Sequence, residues 1–252
     1  MSRGQARRQR AERRRGPEDP ARAVAAAVAV ACAAGLATLV FAPLEPIAAV
    51  EVTGARHVAR DGAAGASGLL GVPVFRASAS QARAALLQHA AVRDARVEIA
   101  VPGSAARISL VEREAAGRWV VGGTEWFVDA DGVLFPSIDP SAAPSLRVRD
   151  QRTAQRSAGD RVDPAVVAAA LRLAKIAPGE LRADATAPSV RIDAGPDGIV
   201  LASGAGWEIR FGTAERIDDK LALAQRFLRD RPTARLEYVD VRSPERIVFS
   251  PQ

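Results

Sequence analysis

Hydrophobic and polar positions follow three different rhythms along the chain. Residues 23–42 (AVAAAVAVACAAGLATLVFA) carry no charge and show no polar face, so no amphipathic surface helix fits them. Beyond Pro43-Leu44-Glu45-Pro46, whose two prolines break a helix, the rhythm changes to short alternations. In Ile47–Gly54, Val50 and Val52 alternate with Glu51 and Thr53, which predicts a strand ending in a glycine turn. Residues 58–71 predict a short helix weakened by Gly62, Gly65 and Gly68, each costing about 1 kcal/mol. Residues 78–90 predict a better one, capped by Ser78 or Ser80, with Ala82, Ala85, Leu86 and His89 on one face. Val92–Val101 alternates again, Pro102-Gly103 predicts a turn, and Ile108, Leu110 and Val111 lead into Glu112-Arg113-Glu114. The predicted order is β-α-α-β-β.

The second half mixes both periods. Arg118–Val121 and Trp126–Val128 predict strands, and Asp129-Ala-Asp131-Gly132 predicts a hairpin into Val133–Phe135. Residues 136–161, rich in Pro, Ser and Arg, predict a loop with one short strand at Leu146–Val148. Asp163-Pro164 opens a predicted helix with Val167, Leu171 and Ala174 on its apolar face. Strands are expected at Val190–Asp193, Ile199–Ala202 and Trp207–Phe211. Thr213 is the expected cap of a helix carrying Ile217, Leu221, Ala224 and Leu228, and Arg231-Pro232 stops it. Leu236–Arg242 and Arg246–Phe249 complete the pattern, separated by Ser243-Pro244. The fold class read from this is α+β.

Charge changes the reading of the first stretch. Residues 1–22 hold Arg3, Arg7, Arg8, Arg10, Arg13, Arg14, Arg15 and Arg22 against Glu12, Glu18 and Asp19. A 20-residue helix is about 30 Å long, matching the hydrocarbon thickness of a bilayer. Arg-rich flanks stay cytoplasmic. A single-pass anchor with its N-terminus inside is therefore expected, with the tail also touching anionic lipid. A cleavable signal peptide is the alternative, though the apolar run exceeds the usual h-region of about 7–15 residues. The chain has 35 basic and 29 acidic residues, and removing the tail leaves the rest nearly neutral. No basic stripe for nucleic acid follows from the folded part. The single cysteine, Cys32, lies in the apolar run and excludes an intrachain disulfide.

Catalytic constellations are sparse. His57 and His89 stand in no metal-ligand spacing, and no G-x-S-x-G elbow occurs. Arg172 and Ile217 occupy the positions where a Ser-x-x-Lys pair would need serine before Lys175 and Lys220. Asp129–Gly132 lacks the glycine and glutamate positions of a calcium loop. Gly204-Ala-Gly206 lacks the third glycine of a dinucleotide loop. No cofactor, no metal and no catalytic residue is expected, and a binding role is favoured over an anchored wall hydrolase.

The order of motifs is informative in combination. Val50-x-Val52-x-Gly54 just after a span, the β-α-α-β-β order and Glu112-Arg113-Glu114 resemble a POTRA domain. Trp119, Phe127-Val-Asp129-x-x-Gly132-Val-Leu-Phe135, Gly206-Trp-Glu-Ile-Arg-Phe-Gly212, the Lys220-Leu221 helix and Tyr238-Val-Asp-Val-Arg242 follow in sequence. The series resembles the FtsQ/DivIB family of bacterial division proteins, although another POTRA-bearing envelope module remains an alternative. The resemblance implies a tail at 1–22, a span at 23–42, a POTRA domain at 45–115 and a C-terminal domain at 116–252. That last domain is expected to be mixed α/β, with an antiparallel sheet ending in an exposed edge strand. It further implies a non-enzymatic scaffold of the division septum that binds the coiled-coil proteins FtsB and FtsL by strand addition near its C-terminus. Carried onto this chain, the contact falls on Tyr238, Asp240, Val241, Arg242, Ser243, Arg246, Ile247 and Phe249. Ser243 and Pro244 stand where some members place an aromatic after the arginine.

Overall fold

The computed structural model describes residues 20–41, 46–100, 104–139, 141, 143–152 and 155–251. Most of the Arg-rich tail, the Pro43–Glu45 exit and the Pro102-Gly103 turn lie outside the described residues. Helix α1 (Pro20–Phe41) covers the apolar run and is long and apolar enough to cross a membrane. Its 22 residues extend about 33 Å. Cys32 is on this helix, exposed.

A three-stranded sheet follows, made of β1 (Ala49–Thr53), β2 (Val92–Ile99) and β3 (Ala105–Glu112) in the order β1-β3-β2. Between β1 and β2 come α2 (Arg60–Ala66), a single turn at Val74–Arg76, and α3 (Ala79–Leu86). The expected β-α-α-β-β order is therefore present. Ser78 caps α3, accepting the Gln81 N–H at 3.3 Å, while Ser80 only bonds Ser78. Val52, Ile108 and Leu110 on the sheet pack against Ala63 and Leu86 on the helices. Gly54 at φ +79° is needed for two reasons: its backbone is left-handed, and a Cβ would collide with the Leu110 carbonyl.

The second sheet has nine strands: β4 (Gly117–Val121), β5 (Thr124–Val128), β6 (Leu134–Phe135), β7 (Arg147–Asp150), β8 (Ser189–Ile192), β9 (Ile199–Ala202), β10 (Glu208–Gly212), β11 (Leu236–Ser243) and β12 (Arg246–Pro251). Their spatial order is β12-β11-β10-β9-β8-β7-β4-β5-β6. Three features differ from the sequence-based expectation. The sheet is mixed rather than antiparallel, with β4–β7, β7–β8 and β10–β11 parallel. Helices α4 (Pro164–Ala174) and α5 (Ile217–Arg229) are the reason, since each returns the chain between parallel neighbours. The weak strand inside the Pro/Ser/Arg-rich stretch is an interior one. β7 is pinned there by Trp119, whose indole donates to buried Asp150 at 3.0 Å, and Asp150 is also gripped by Arg152. Thr213 does not cap α5, because residues 213–216 form a turn and Arg216 precedes the helix at φ +52°. Thr213 instead accepts from buried Lys220, whose ammonium also donates to the Phe211 carbonyl at 2.9 Å. Asp163 and Pro164 start α4 as expected, with Asp163 accepting the Ala165 N–H at 2.8 Å.

One clamp joins the two sheets. The Glu112 carboxylate at the end of β3 accepts three successive backbone N–H groups, from Arg56, His57 and Val58, at 2.9, 2.6 and 3.0 Å. This holds His57 edge-on against Phe127 and Phe135 of the second sheet, at 5.7 and 5.4 Å between ring centres. Its Nδ1 lies 2.8 Å from the Ser137 hydroxyl. Nearby, Arg113 donates to Asp129 at 2.7 Å.

Burial pushes the His57 pKa below its ordinary value near 6.5; Glu112 and Asp139 oppose this and Arg56 assists it. A depressed histidine pKa means the unfolded chain binds more protons, so stability is lost as pH falls below about 6.5. Denaturant melts of the full chain between pH 7.5 and 5 are expected to show this decline. His57→Gln, which keeps a polar group without a titrating ring, is expected to flatten it.

Candidate functional site

The two ends of the nine-stranded sheet are treated differently. At the β6 end the Leu134 N–H donates to Asp160 at 2.9 Å and its carbonyl accepts from Gly159 at 2.8 Å. Leu134 and Phe135 are fully buried. At the other end, β12 pairs with β11 on one side only, and no described residue pairs with its outer side. An edge strand of this kind is a template for another chain unless charge, proline or a cover blunts it. β12 carries exposed Val248 and Phe249, with Arg246 and Pro251 only at its ends.

The register decides where each predicted contact residue lies. Tyr238, Asp240 and Arg242 share the outer face of β11, while Val239 and Val241 face the core. Val241, expected among the contact residues, is fully buried and therefore supports the edge from beneath. Asp240 and Arg242 are bonded to each other, with Arg242 donating at 2.6 to 3.0 Å. Burial alone would raise the Asp240 pKa, but these bonds outweigh it and hold the carboxyl below the usual range. Arg242 also reaches Asp197 at 3.4 Å. Tyr238 is covered by Arg210, whose guanidinium sits 4.0 Å from the ring centre. Ser243 pairs with Arg246 beside the hairpin turn, and both are exposed. Ile247 packs against the core, whereas Phe249 stands opposite Val239 and so emerges on the helix side of the sheet.

On that side β12 and α5 enclose a groove of about 370 Å³. Leu223, Phe227, Ile247 and Phe249 form its apolar wall, and Arg226, Asp230 and Arg231 its rim. Phe227 and Phe249 are 5.1 Å apart, and Arg231 lies over Phe227 at 4.3 Å. Leu223, Phe227 and Val248 were absent from the sequence-based set. The signal for the first two was available: Leu223 and Phe227 are four apart on the α5 helix and widen its apolar face beyond Ile217, Leu221, Ala224 and Leu228.

The outer face of the sheet is a lattice of ion pairs rather than a pocket. Arg191 reaches Glu208 at 2.7 Å across β9, Glu208 takes Arg210 at 2.9 Å, and Arg210 meets Asp197 at 3.4 Å. Val200, fully buried, lies on the face they cover. Among the described residues no group of three or more His, Cys, Asp or Glu is placed to hold a metal ion.

Comparison with known proteins bears on this arrangement. Residues 117–242 match the family model described as "Cell division protein FtsQ/DivIB, C-terminal". The chain is 30% identical over 194 residues to the cell division protein FtsQ of Chloroflexus aurantiacus, covering 77% of this chain and 69% of that protein. It is 29% identical over 222 residues to FtsQ of Chloroflexus aggregans, covering 88% and 79%. The chain belongs to the FtsQ/DivIB family. It is a cell-division protein, and among the described residues one N-terminal helix is long and apolar enough to cross a membrane, as its sequence implied. The family match runs from β4 to Arg242 in β11, so β12 and its groove wall lie just past the matched residues.

The register separates two adjacent residues by stability. Val241→Ala is expected to cost about 2 kcal/mol through lost burial and a residual cavity. Arg242→Ala, at an exposed pair, is expected to change stability by less than about 1 kcal/mol. Equilibrium denaturation of both variants checks the assignment, and equal effects would mean the register is wrong.

Proposed function

We propose that this FtsQ/DivIB member is a non-enzymatic scaffold that captures FtsB/FtsL-type coiled-coil partners by strand addition to β12. The observation that carries this reading is the contrast between a closed β6 end and an open, apolar β12 end backed by the α5 groove. In strand addition, main-chain hydrogen bonds supply affinity and alternate side chains supply selectivity. A partner strand along β12 would meet Val248 and Arg246 on one face. On the other face an apolar side chain would enter beside Phe249, Ile247 and Phe227. Arg242, Ser243 and Tyr238 then form the polar rim, and Asp240 orients Arg242.

The Arg-rich tail supports an N-terminus in the cytoplasm, with residues 45–115 as a POTRA domain and 116–252 as the recruiting domain outside the membrane. The septum is the expected location. The tail's further contacts are with anionic lipid, and nothing in the folded part favours nucleic acid. An anchored hydrolase finds no support in the residues lining the groove, which include no nucleophile.

Val248→Glu with Phe249→Glu alters two exposed side chains. The pair is expected to weaken binding of a purified FtsB/FtsL-type complex by about tenfold or more, equal to about 1.4 kcal/mol, with the melting midpoint little changed. Unchanged affinity in a folded variant would remove the β12 assignment. Depletion in the source organism is expected to give filamentous cells, with the protein at mid-cell beforehand; normal division on depletion would overturn the scaffold role.

A further inference from the structure

Large exposed apolar side chains outside α1 are few. Among the described residues they are Leu70, Phe75, Val111, Ile138, Val248 and Phe249. Val248 and Phe249 belong to the edge already described. Leu70 and Phe75 form a second pair, five residues apart in one loop, 61% and 57% exposed.

That loop is strapped to the first described residues after the helix. The Gly71 N–H donates to the Ile47 carbonyl at 2.9 Å, and the Ile47 N–H donates to the Val72 carbonyl at 3.0 Å. Pro46 bridges Pro73, and the Val74–Arg76 turn is in contact with α1. Only five residue steps separate Phe41 at the end of α1 from Pro46, at most about 17 Å of extended chain. The loop is also held from inside. Leu69 and Val74, the neighbours of Leu70 and Phe75, are buried with Ile47, Ala82 and Ala106. Leu70 and Phe75 are thus pointed outward by an ordered backbone, on the part of the folded chain bound to the membrane exit.

We propose that the Leu69–Arg76 loop rests in the headgroup layer of the bilayer crossed by α1, with Leu70 and Phe75 at the boundary with the acyl chains. The occupant of this surface is lipid because the surface is continuous with the membrane span itself. The headgroup layer is on the order of 5–8 Å deep on each side, enough to take two apolar side chains from a loop tied to the span. The inference rests on α1 spanning the membrane and is independent of the β12 reading.

The test uses the full chain with Cys32→Ser, so that a single introduced cysteine carries an environment-sensitive fluorophore. Labels are placed by Leu70→Cys, Phe75→Cys, Leu36→Cys and Val111→Cys, all at exposed positions. Val111 is seven residues along β3 from Ser104, which bonds Ala48 beside the exit, and so lies about 23 Å along the strand from that end. The proteins are reconstituted in phosphatidylcholine–phosphatidylglycerol vesicles containing lipids with a nitroxide quencher at a shallow or a deep acyl position. The expected result is loss of emission at 70 and 75 with the shallow quencher, loss at 36 with the deep one, and none at 111. If 36 is quenched and 70 and 75 behave like 111, whether all dark or all bright, the loop proposal is overturned and the span stands. If 36 is not quenched, α1 is outside the bilayer and the proposal falls with the span.

Discussion

The parallel pairing of β10 with β11 constrains everything downstream of it. Two parallel neighbours cannot be joined by a hairpin, so the chain must recross the sheet, and α5 makes that return. Lys220 fixes the start of the crossover. Its ammonium is buried at the price of desolvation, which lowers its pKa, and it bonds the carbonyls of Phe211 and Thr213 where β10 hands over to the helix. Once α5 has crossed, β11 enters at the side of β10, and β12 can only fold back antiparallel beyond it. The outermost position of the last strand and the groove between that strand and the helix therefore have one cause.

The two faces of the large sheet solve different problems. One face carries α4 and α5 and holds the apolar core around Trp119, Leu173, Leu201, Phe211 and Leu228. The other has arginines and carboxylates alternating over β8 to β11, with arginine stems reaching over Val200. Such pairs contribute little individually to stability when solvent reaches them. Their effect is on selectivity of contact: a face with its charges mutually satisfied offers few unmet groups to a partner, which leaves the apolar edge as the distinctive surface.

Much of this was legible in the chain. Alternation placed β1, β8, β9, β10 and both terminal strands, and Asp163-Pro164 marked the start of α4 because its chemistry is local. What failed was non-local. The short strand expected at Leu146–Val148 is present as Arg147–Asp150, but its interior place in the sheet is not local information: it rests on Trp119 and Arg152, which satisfy Asp150. Strand direction was misjudged because alternation is the same for parallel and antiparallel neighbours. Thr213 looks like a cap because its type fits that role, but the helix begins only at Ile217, after Arg216 at φ +52°. At the candidate site the sequence points to β11 and β12, and the register buries Val241 beneath them. The groove was missed because it joins Phe249 to Leu223 and Phe227 across a connection that no local pattern reveals.

The Glu112 clamp has a consequence for how the two sheets are held. A flexible linker between the two sheets would let the second sample many orientations relative to the first. Three amides held by one carboxylate, with His57 wedged against Phe127 and Phe135, turn the chain from β3 into β4 into a mount rather than a leash. The ordering of one sheet against the other is thus met during folding, by contacts within the chain itself.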